Sequence, residues 1–316
     1  MPSICAMNKN LVPDLSSREL QAVCAIADEG SLLAASIALD LSQPALTRTL
    51  QRVEAAIGVE LFRRTTRKVE ITPAGLEFVA LANRILADLR ISFEGMREIA
   101  DEQRGQVIIS AVMSVASTHL PIVVARYRES RPRIEIHVRE GVHGTVLDTV
   151  RSGVADLGLT YVDDVPAEFS AIALGREAFH VVMPASHPLA SRKTLTLVEV
   201  ANHAMVSLPK EAQTRRMLDG AAAAAGLNLQ HAVTVTQFAT VMQFVHAGVG
   251  LAIVPGGAIP AALVPGLVLK PLAQPALTRS IGVIVLKDRG LTPSAEGFLA
   301  QVKEHWLARP KSRRVG

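Results

Sequence analysis

The stretch from Ser42 to Gly58 constrains this chain most, because it has a start, a stop and two different faces. Ser42 fits as an N-cap, and Pro44 stands in the first turn, where a helix has no amide hydrogen bond to lose. Gly58 stops the helix. Leu46, Leu50, Val53 and Ile57 recur at spacings of 4, 3 and 4, which is a core stripe. Gln43, Pro44, Thr47, Arg48, Gln51 and Arg52 fall together elsewhere on the surface. A short apolar helix, Leu32 to Leu39 with Ser31 as its cap, precedes it across the break Asp40-Leu41-Ser42. Before that, Leu20, Val23, Cys24 and Ala27 mark a helix ended by Gly30. Two helices joined by a three-residue turn, the second carrying groups able to read base edges, have helix-turn-helix geometry. A solvated polar face is the plainer reading of the same residues.

The next segment favours the first reading. Leu61-Phe62-Arg63-Arg64-Thr65-Thr66-Arg67-Lys68-Val69-Glu70-Ile71 has an apolar start, a basic turn and an alternating strand. This is the pattern of a β-wing whose tip reaches phosphates or a minor groove. Charge is distributed accordingly. Residues 1–41 set Lys9 and Arg18 against five acidic residues, whereas residues 42–75 set six basic residues against three acidic ones. Thr72-Pro73 then opens a long helix on which Phe78, Ala82, Ile85, Leu89, Ser92, Met96 and Ile99 alternate at spacings of 4 and 3. Such a heptad seam packs either on its own domain or, as three unbroken repeats favour, on the same helix of a second chain.

From Gly105 short apolar strands (107–112, 134–139, 156–159, 181–183, 251–254, 281–286) alternate with helices (117–128, 145–152, 214–225, 238–247, 294–306). The alternation predicts parallel sheets covered by helices, and the length favours two α/β lobes around a cleft. The 281–286 strand and the 294–306 helix return to the first lobe.

Other classes are excluded by what is missing from the pattern. With 49% hydrophobic and 20% charged residues the chain is not wholly disordered. No apolar run approaches the ~20 residues needed to span a bilayer. Cys5 and Cys24 cannot build a disulfide framework or a four-ligand zinc site, and MPSICAMNKN lacks the pattern of an export signal, so a cytoplasmic protein is expected. No Gly-x-Ser-x-Gly elbow occurs, and His180, His187 and His203 stand at no ligand-like interval, so neither an enzyme nor a metal site is expected. A transport binding protein would share the lobes but not the basic wing. The basic residues Arg309, Lys311, Arg313 and Arg314 read as a solvated tail.

Ser42-Gln43-Pro44-Ala45-Leu46-Thr47-Arg48, with Leu50, Glu54, Gly58, Leu61-Phe62-Arg63-Arg64 and Thr72-Pro73-Ala74-Gly75, resembles the LysR-type transcriptional regulators, and the resemblance runs from about Leu15 to Trp306. Gly153-Val154-Ala155-Asp156-Leu157-Gly158, His187-Pro188-Leu189 and the turn Gly248 to Pro255 resemble further landmarks of that family. The last is no dinucleotide fingerprint, since Ile253 stands where a third glycine is needed. One departure is visible: Ala34, Ile37 and Ala38 make the helix before the turn apolar nearly all round, so an added contact is expected to cover it.

The resemblance implies a winged helix-turn-helix over 1–72, a linker and dimerisation helix over 73–104, and an effector-binding domain over 105–316. That domain would be two-lobed, resembling periplasmic binding proteins, with lobe I about 105–177 and 281–306 and lobe II about 178–280. It implies a homotetramer built from dimers, double-stranded promoter DNA, a small-molecule effector and RNA polymerase as partners, and no cofactor. Resemblance and chemistry together place Gln43, Pro44, Thr47 and Arg48 in the major groove. Ser31, Thr47, Arg52, Arg63, Arg64, Thr66, Arg67 and Lys68 are candidates for phosphate contact, with a salt bridge to the linker helix as the alternative for Arg63 or Arg64. For the effector, the family's contact positions hold Ser114, Ser117, His143, Ser207, Gln237 and Phe238. Hydroxyls and helix N-terminal amides suit a small anion such as a carboxylate, with Ser114 and Ser207 donating from opposite walls. Locally, Ser117 could instead cap a helix and His143 could be structural.

Overall fold

The computed structural model describes residues 13–64, 69–100, 105–259 and 263–308, in two compact units, one of the residues up to Ser92 with Ser152–Val154 and one of Phe93–Arg151 with the residues from Ala155 onward. In the first, α1 (Ser17–Glu29), α2 (Leu32–Ala38) and α3 (Gln43–Ile57) precede a hairpin of β1 (Phe62–Arg64) and β2 (Val69–Ile71), and α4 (Pro73–Ala100) follows. Each of the first three helices opens on a serine. The Ser16, Ser31 and Ser42 hydroxyls accept the amides of Glu19, Ala34 and Ala45, and Glu19 completes a capping box on Ser16. Gly30 and Gly58 end α1 and α3 in the left-handed conformation. Leu46, Leu50 and Val53 are buried with Val23, Ile26, Leu32, Ala35, Leu61 and Phe62, which realises the expected stripe.

The hairpin is tied to α3 by Glu54, whose carboxylate accepts the amides of Leu61 (2.8 Å) and Phe62 (3.2 Å). Thr72 caps α4 by accepting the Gly75 amide at 3.0 Å. A Cβ on Gly75 would lie 2.2 Å from the Leu61 carbonyl oxygen, so only glycine lets α4 start against the hairpin. Burial in the helical core pushes the Cys24 thiol up to about 11, so this cysteine stays protonated and serves packing.

The second unit runs β3 (Gly105–Val112), α5 (Met113–Ala116), α6 (Leu120–Ser130), β4 (Ile134–Gly141), α7 (His143–Arg151), β5 (Leu157–Tyr161) and β6 (Phe169–Pro184). Then come β7 (Leu195–Thr196), α8 (Leu197–Ala201), β8 (Ala204–Ser207), α9 (Gln213–Ala224), β9 (Gln230–Thr234) and α10 (Phe238–His246). It closes with β10 (Ala252–Pro255), β11 (Leu267–Gln274), β12 (Thr278–Leu286) and α11 (Pro293–Leu307). Two lobes have separate cores. One is built on β3, β5, β12 and α11, as the return of the last strand and helix predicts; the other is built on the far half of β6 with β8, β10 and β11.

The expectation of parallel sheets holds only locally. β3 is parallel to β4 and β5, but β6 and β12 are antiparallel to each other, and β10 and β11 are antiparallel to β6. The reason is β6. Its residues 169–178 pair with β12 in the first lobe, and residues 179–184 pair with β10 and β11 in the second. One strand thus spans both lobes, and β12 runs back along it. Only 181–183 read as strand in the sequence, because the first ten residues of β6 are mostly half-exposed and their short apolar run, Ala171 to Leu174, is cut off by Gly175-Arg176-Glu177.

The Gly153–Gly158 landmark has a packing cause. The Asp156 carboxylate accepts the Ile108 amide at 2.7 Å, and a Cβ on Gly158 would stand 2.7 Å from side chains of Val146 and Ile284, closing the seat of α7. Among the described residues no helix is long and apolar enough to cross a membrane.

Candidate functional site

In the N-terminal unit, α3 exposes Gln43, Pro44 and Arg48, with Thr47 half-buried beside them. Pro44 shapes the entry and the Ser42 cap holds the first turn, so these side chains project from a rigid helix end. Arg48 and Arg63 have no ion-pair partner among the described residues, and both are exposed. Arg52 is different. Its Nε lies 3.1 Å from Glu19, whose carboxyl is held below the usual carboxylate range by hydrogen bonds from Ser16, with Arg52 adding a smaller share. Arg52 therefore braces α3 against α1. Ser31 is half-buried and spends its hydroxyl as the α2 cap. Thr66, Arg67 and Lys68 lie outside the described residues, as does the side chain of Arg64.

The apolar face of α2 is uncovered in this chain: Ile37 is 73% and Leu33 58% exposed. The seam of α4 divides. Phe78 and Ala82 pack against Leu20 and Cys24 of the same chain, whereas Ile85 (39%), Leu89 (40%) and Met96 (57%) are exposed, with Phe93 beside them. The Ile99 side chain lies outside the described residues.

In the second unit a cleft of about 20 Å³ opens between the lobes. Ser114, His143 and Tyr161 line it from one lobe, and Gln213, Thr214 and Phe238 from the other. The walls are largely helix beginnings: α5, α7, α9 and α10 all start there. Ala212 before α9 and Gln237 before α10 make no side-chain cap, so their first-turn amides are left open toward the cleft. His143 Nδ1 lies 2.7 Å from the Thr160 hydroxyl and its ring stacks on Tyr161. Burial, and then the charge of Arg216, keep this imidazole below its ordinary value and hence neutral near pH 7.

Beneath the cleft lies Arg279, 1% exposed. Its Nη2 donates to Ser114 Oγ and its Nη1 to Thr214 Oγ1, both at 3.0 Å, while Nε pairs with Glu177. The guanidinium sits 4.2 Å from the centre of the Tyr161 ring. Glu177 in turn accepts the Gly257 amide. Sequence reasoning missed Thr214 and Arg279. The usable signal was a lone arginine in Thr278-Arg279-Ser280-Ile281, a strand otherwise turning apolar.

Three expected effector residues are not brought to the cleft. Ser117 is exposed and donates to the Met113 carbonyl at 2.8 Å, because α6 starts at Leu120 and Ser117 ends the preceding turn. Gln237 is exposed at the start of α10. Ser207, expected as the donor on the facing wall, points into the second lobe; Thr214 occupies that wall instead. Ser207 Oγ is 2.6 Å from His231 Nδ1, His231 Nε2 is 3.0 Å from Asp219, and Asp219 pairs with Arg215 at 2.7 Å. Burial and Arg215 outweigh Asp219 and hold His231 below its ordinary value. A neutral ring that donates to Asp219 accepts at Nδ1, so the Ser207 proton is already committed. This serine, histidine and aspartate are linked in a row within the second lobe, beside a cavity of about 10 Å³.

A helix-turn-helix with its wing, followed by a two-lobed α/β domain that closes on a small cleft, defines a DNA-binding regulator with a ligand-binding domain. Residues 17–76 match the bacterial regulatory helix-turn-helix model of the lysR family, and residues 100–307 match the LysR substrate binding domain. This chain belongs to the LysR family of transcriptional regulators, and is a regulator rather than an enzyme. It is similar to the transcriptional dual regulator GltC of Bacillus subtilis, 30% identical over 258 residues that cover 80% of this chain and 85% of GltC. The uncharacterized regulator YbhD of Escherichia coli is 27% identical over 293 residues, 93% of this chain and 92% of YbhD. In fold it is similar to full-length CbnR crystallised with its target DNA, with a TM-score of 0.67 at 21% identity over 92% of this chain and all of that one (100%).

Proposed function

We propose that this regulator, working in the cytoplasm as a homodimer or homotetramer, binds promoter DNA through α3 and the wing and is governed by a small anion held between the lobes. In that division residues 1–72 bind DNA, 73–104 pair the chains and 105–316 take the effector. Gln43 and Arg48 suit bidentate contacts to adenine and guanine, Pro44 suits a thymine methyl, and Arg63, Arg64, Thr66, Arg67 and Lys68 suit phosphates. Ile85, Leu89, Met96 and Ile99 supply the seam between chains. RNA polymerase is the natural partner of the bound tetramer.

One observation carries the effector reading. Three helices of 9, 12 and 9 residues, α7, α9 and α10, aim their N-termini at one cleft, and neither α9 nor α10 spends a side chain on its own amides. Their dipoles sum to a positive field at a place where open donors remain, which favours a carboxylate or a similar anion. About 20 Å³ holds a single water, so a larger ligand enters only when the lobes part along β6 and β12. The ligand changes DNA binding only in so far as it prefers one arrangement of the assembly.

The full-length protein is screened by melting temperature against small acids, and its DNA affinity is titrated across salt on specific and random duplexes. Arg48→Ala is expected to cost about 1–3 kcal/mol on the specific duplex alone, and Lys68→Ala to weaken both and lower the salt slope by about one ion. Equal losses on both duplexes for Arg48→Ala reject base reading. A melting temperature that no acid raises rejects the anion.

A further inference from the structure

Arg279 does not line the cleft, yet it touches both walls. Ser114 belongs to the first lobe and Thr214 to the second, and each hydroxyl oxygen accepts one N–H of the same guanidinium. A guanidinium has donors and no acceptor. Both hydroxyls are therefore fixed as acceptors on their buried side. Neither hydroxyl proton has an acceptor among the described residues, although Ser114 is 1% and Thr214 4% exposed. Two buried O–H groups thus face one small cleft with their protons unused, and each is polarised by a cation behind it. Ser207 shows the opposite arrangement, since its proton is committed to His231.

We infer that Arg279 is the positioning residue that makes Ser114 and Thr214 obligate donors, and that through them it selects an anionic acceptor, a carboxylate over its own amide. The inference rests on the cleft being the effector site. Glu177 sets its strength: paired with Arg279 Nε, that carboxylate offsets most of the guanidinium charge the ligand would feel. The pair is suited to a ligand that must also leave. The same geometry links selection to closure, because the two bonds reach opposite lobes from one rigid group on β12, beside the stretch of β6 that crosses between the lobes.

The test uses full-length protein and matched probes, benzoate with benzamide and lactate with lactamide, read by melting temperature and calorimetry. Wild type is expected to prefer the acid. Arg279→Lys keeps the charge but cannot direct N–H groups to Glu177, Ser114 and Thr214 at once. It should cut the acid-over-amide ratio by at least about tenfold, the effect of one hydrogen bond to a charged group. Glu177→Gln keeps an acceptor for Gly257 and removes the neutralising charge, so it should raise the ratio. This second variant has the opposite sign and does not depend on Arg279→Lys folding. Ser114→Ala with Thr214→Val should abolish the preference. If both acids bind wild type and the hydroxyl double variant loses them, while Arg279→Lys and Glu177→Gln leave the ratio unchanged, the role of Arg279 is overturned and the anion site stands. If neither acid binds wild type better than its amide, the selectivity inference is overturned; a melting temperature left unmoved by the whole acid screen overturns the anion site itself.

Discussion

The helices α1, α2 and α3 begin on Ser16, Ser31 and Ser42, each of which accepts a first-turn amide of its own helix, while α9 and α10 begin on Ala212 and Gln237, which accept none. The contrast is not one of position alone, since α8 and α11, which do not line the cleft, are capped by Thr196 and Thr292. α6 is the exception, entering directly from the turn at His119. Where a helix end has only to be stable, the sequence supplies a hydroxyl. Where helix ends meet at the cleft, that hydroxyl is withheld and the amides stay available. The N-terminal unit thereby presents side chains from closed helix ends, whereas the cleft keeps backbone donors open.

Four substitutions or conditions test this difference, in falling order of effect. Gly75→Ala brings a methyl onto the Leu61 carbonyl and should destabilise the N-terminal unit by about 3 kcal/mol or more, with chemical denaturation showing loss of that unit and not of the second. Ala212→Asp closes the α9 N-terminus with the chain's own carboxylate. It should stabilise the unliganded protein and weaken binding of any acid found in the screen by about 2 kcal/mol; calorimetry showing undiminished binding would mean the bare N-terminus is not used. Ser42→Ala should cost about 1 kcal/mol in the first unit, the same with and without that acid, because its cap serves the helix alone.

The last concerns pH. His143, His180, His187 and His231 are all held below the ordinary value of 6.5, mainly by burial, and the chain has no histidine before His119. Below 6.5 the unfolded chain takes up protons that the folded second unit refuses, so that unit is fully stable above 6.5 and weakens as the pH falls. Glu19 in the first unit is lowered instead, so its contribution is present above 4.5 and is lost only as the pH falls through its depressed value. Trp306, the single tryptophan, reports the second unit by fluorescence. Its denaturation midpoint should fall as the pH drops below 6.5 while helical signal from the first unit persists; coincident losses would show that the two units do not differ in this way.

The first unit was legible because its information is local. Ser42, Pro44, the Leu46 stripe, Gly58 and Thr72-Pro73 act within a few residues of one another, and the structure places each as read. The seam of α4 was legible as a period but not as a partner: nothing in the spacing says that Phe78 and Ala82 meet α1 while Ile85, Leu89 and Met96 stay uncovered. In the effector region Ser114, His143 and Phe238 were placed at the cleft, but Ser117, Ser207 and Gln237 were not. A serine at a strand end looks the same whether its proton faces a ligand or a histidine 24 residues away.

By itself, then, the sequence determined the helix starts and stops of the first unit, the basic wing, the two-lobed class and the family, all of which follow from short-range chemistry or from motifs kept in order along the chain. The tertiary structure alone decided that β6 would run through both lobes, that Thr214 rather than Ser207 would line the cleft, and that Arg279 would stand under Ser114. Those contacts join residues 65 to 165 positions apart, and a hydrogen bond's direction is set by whichever donor the fold brings to it.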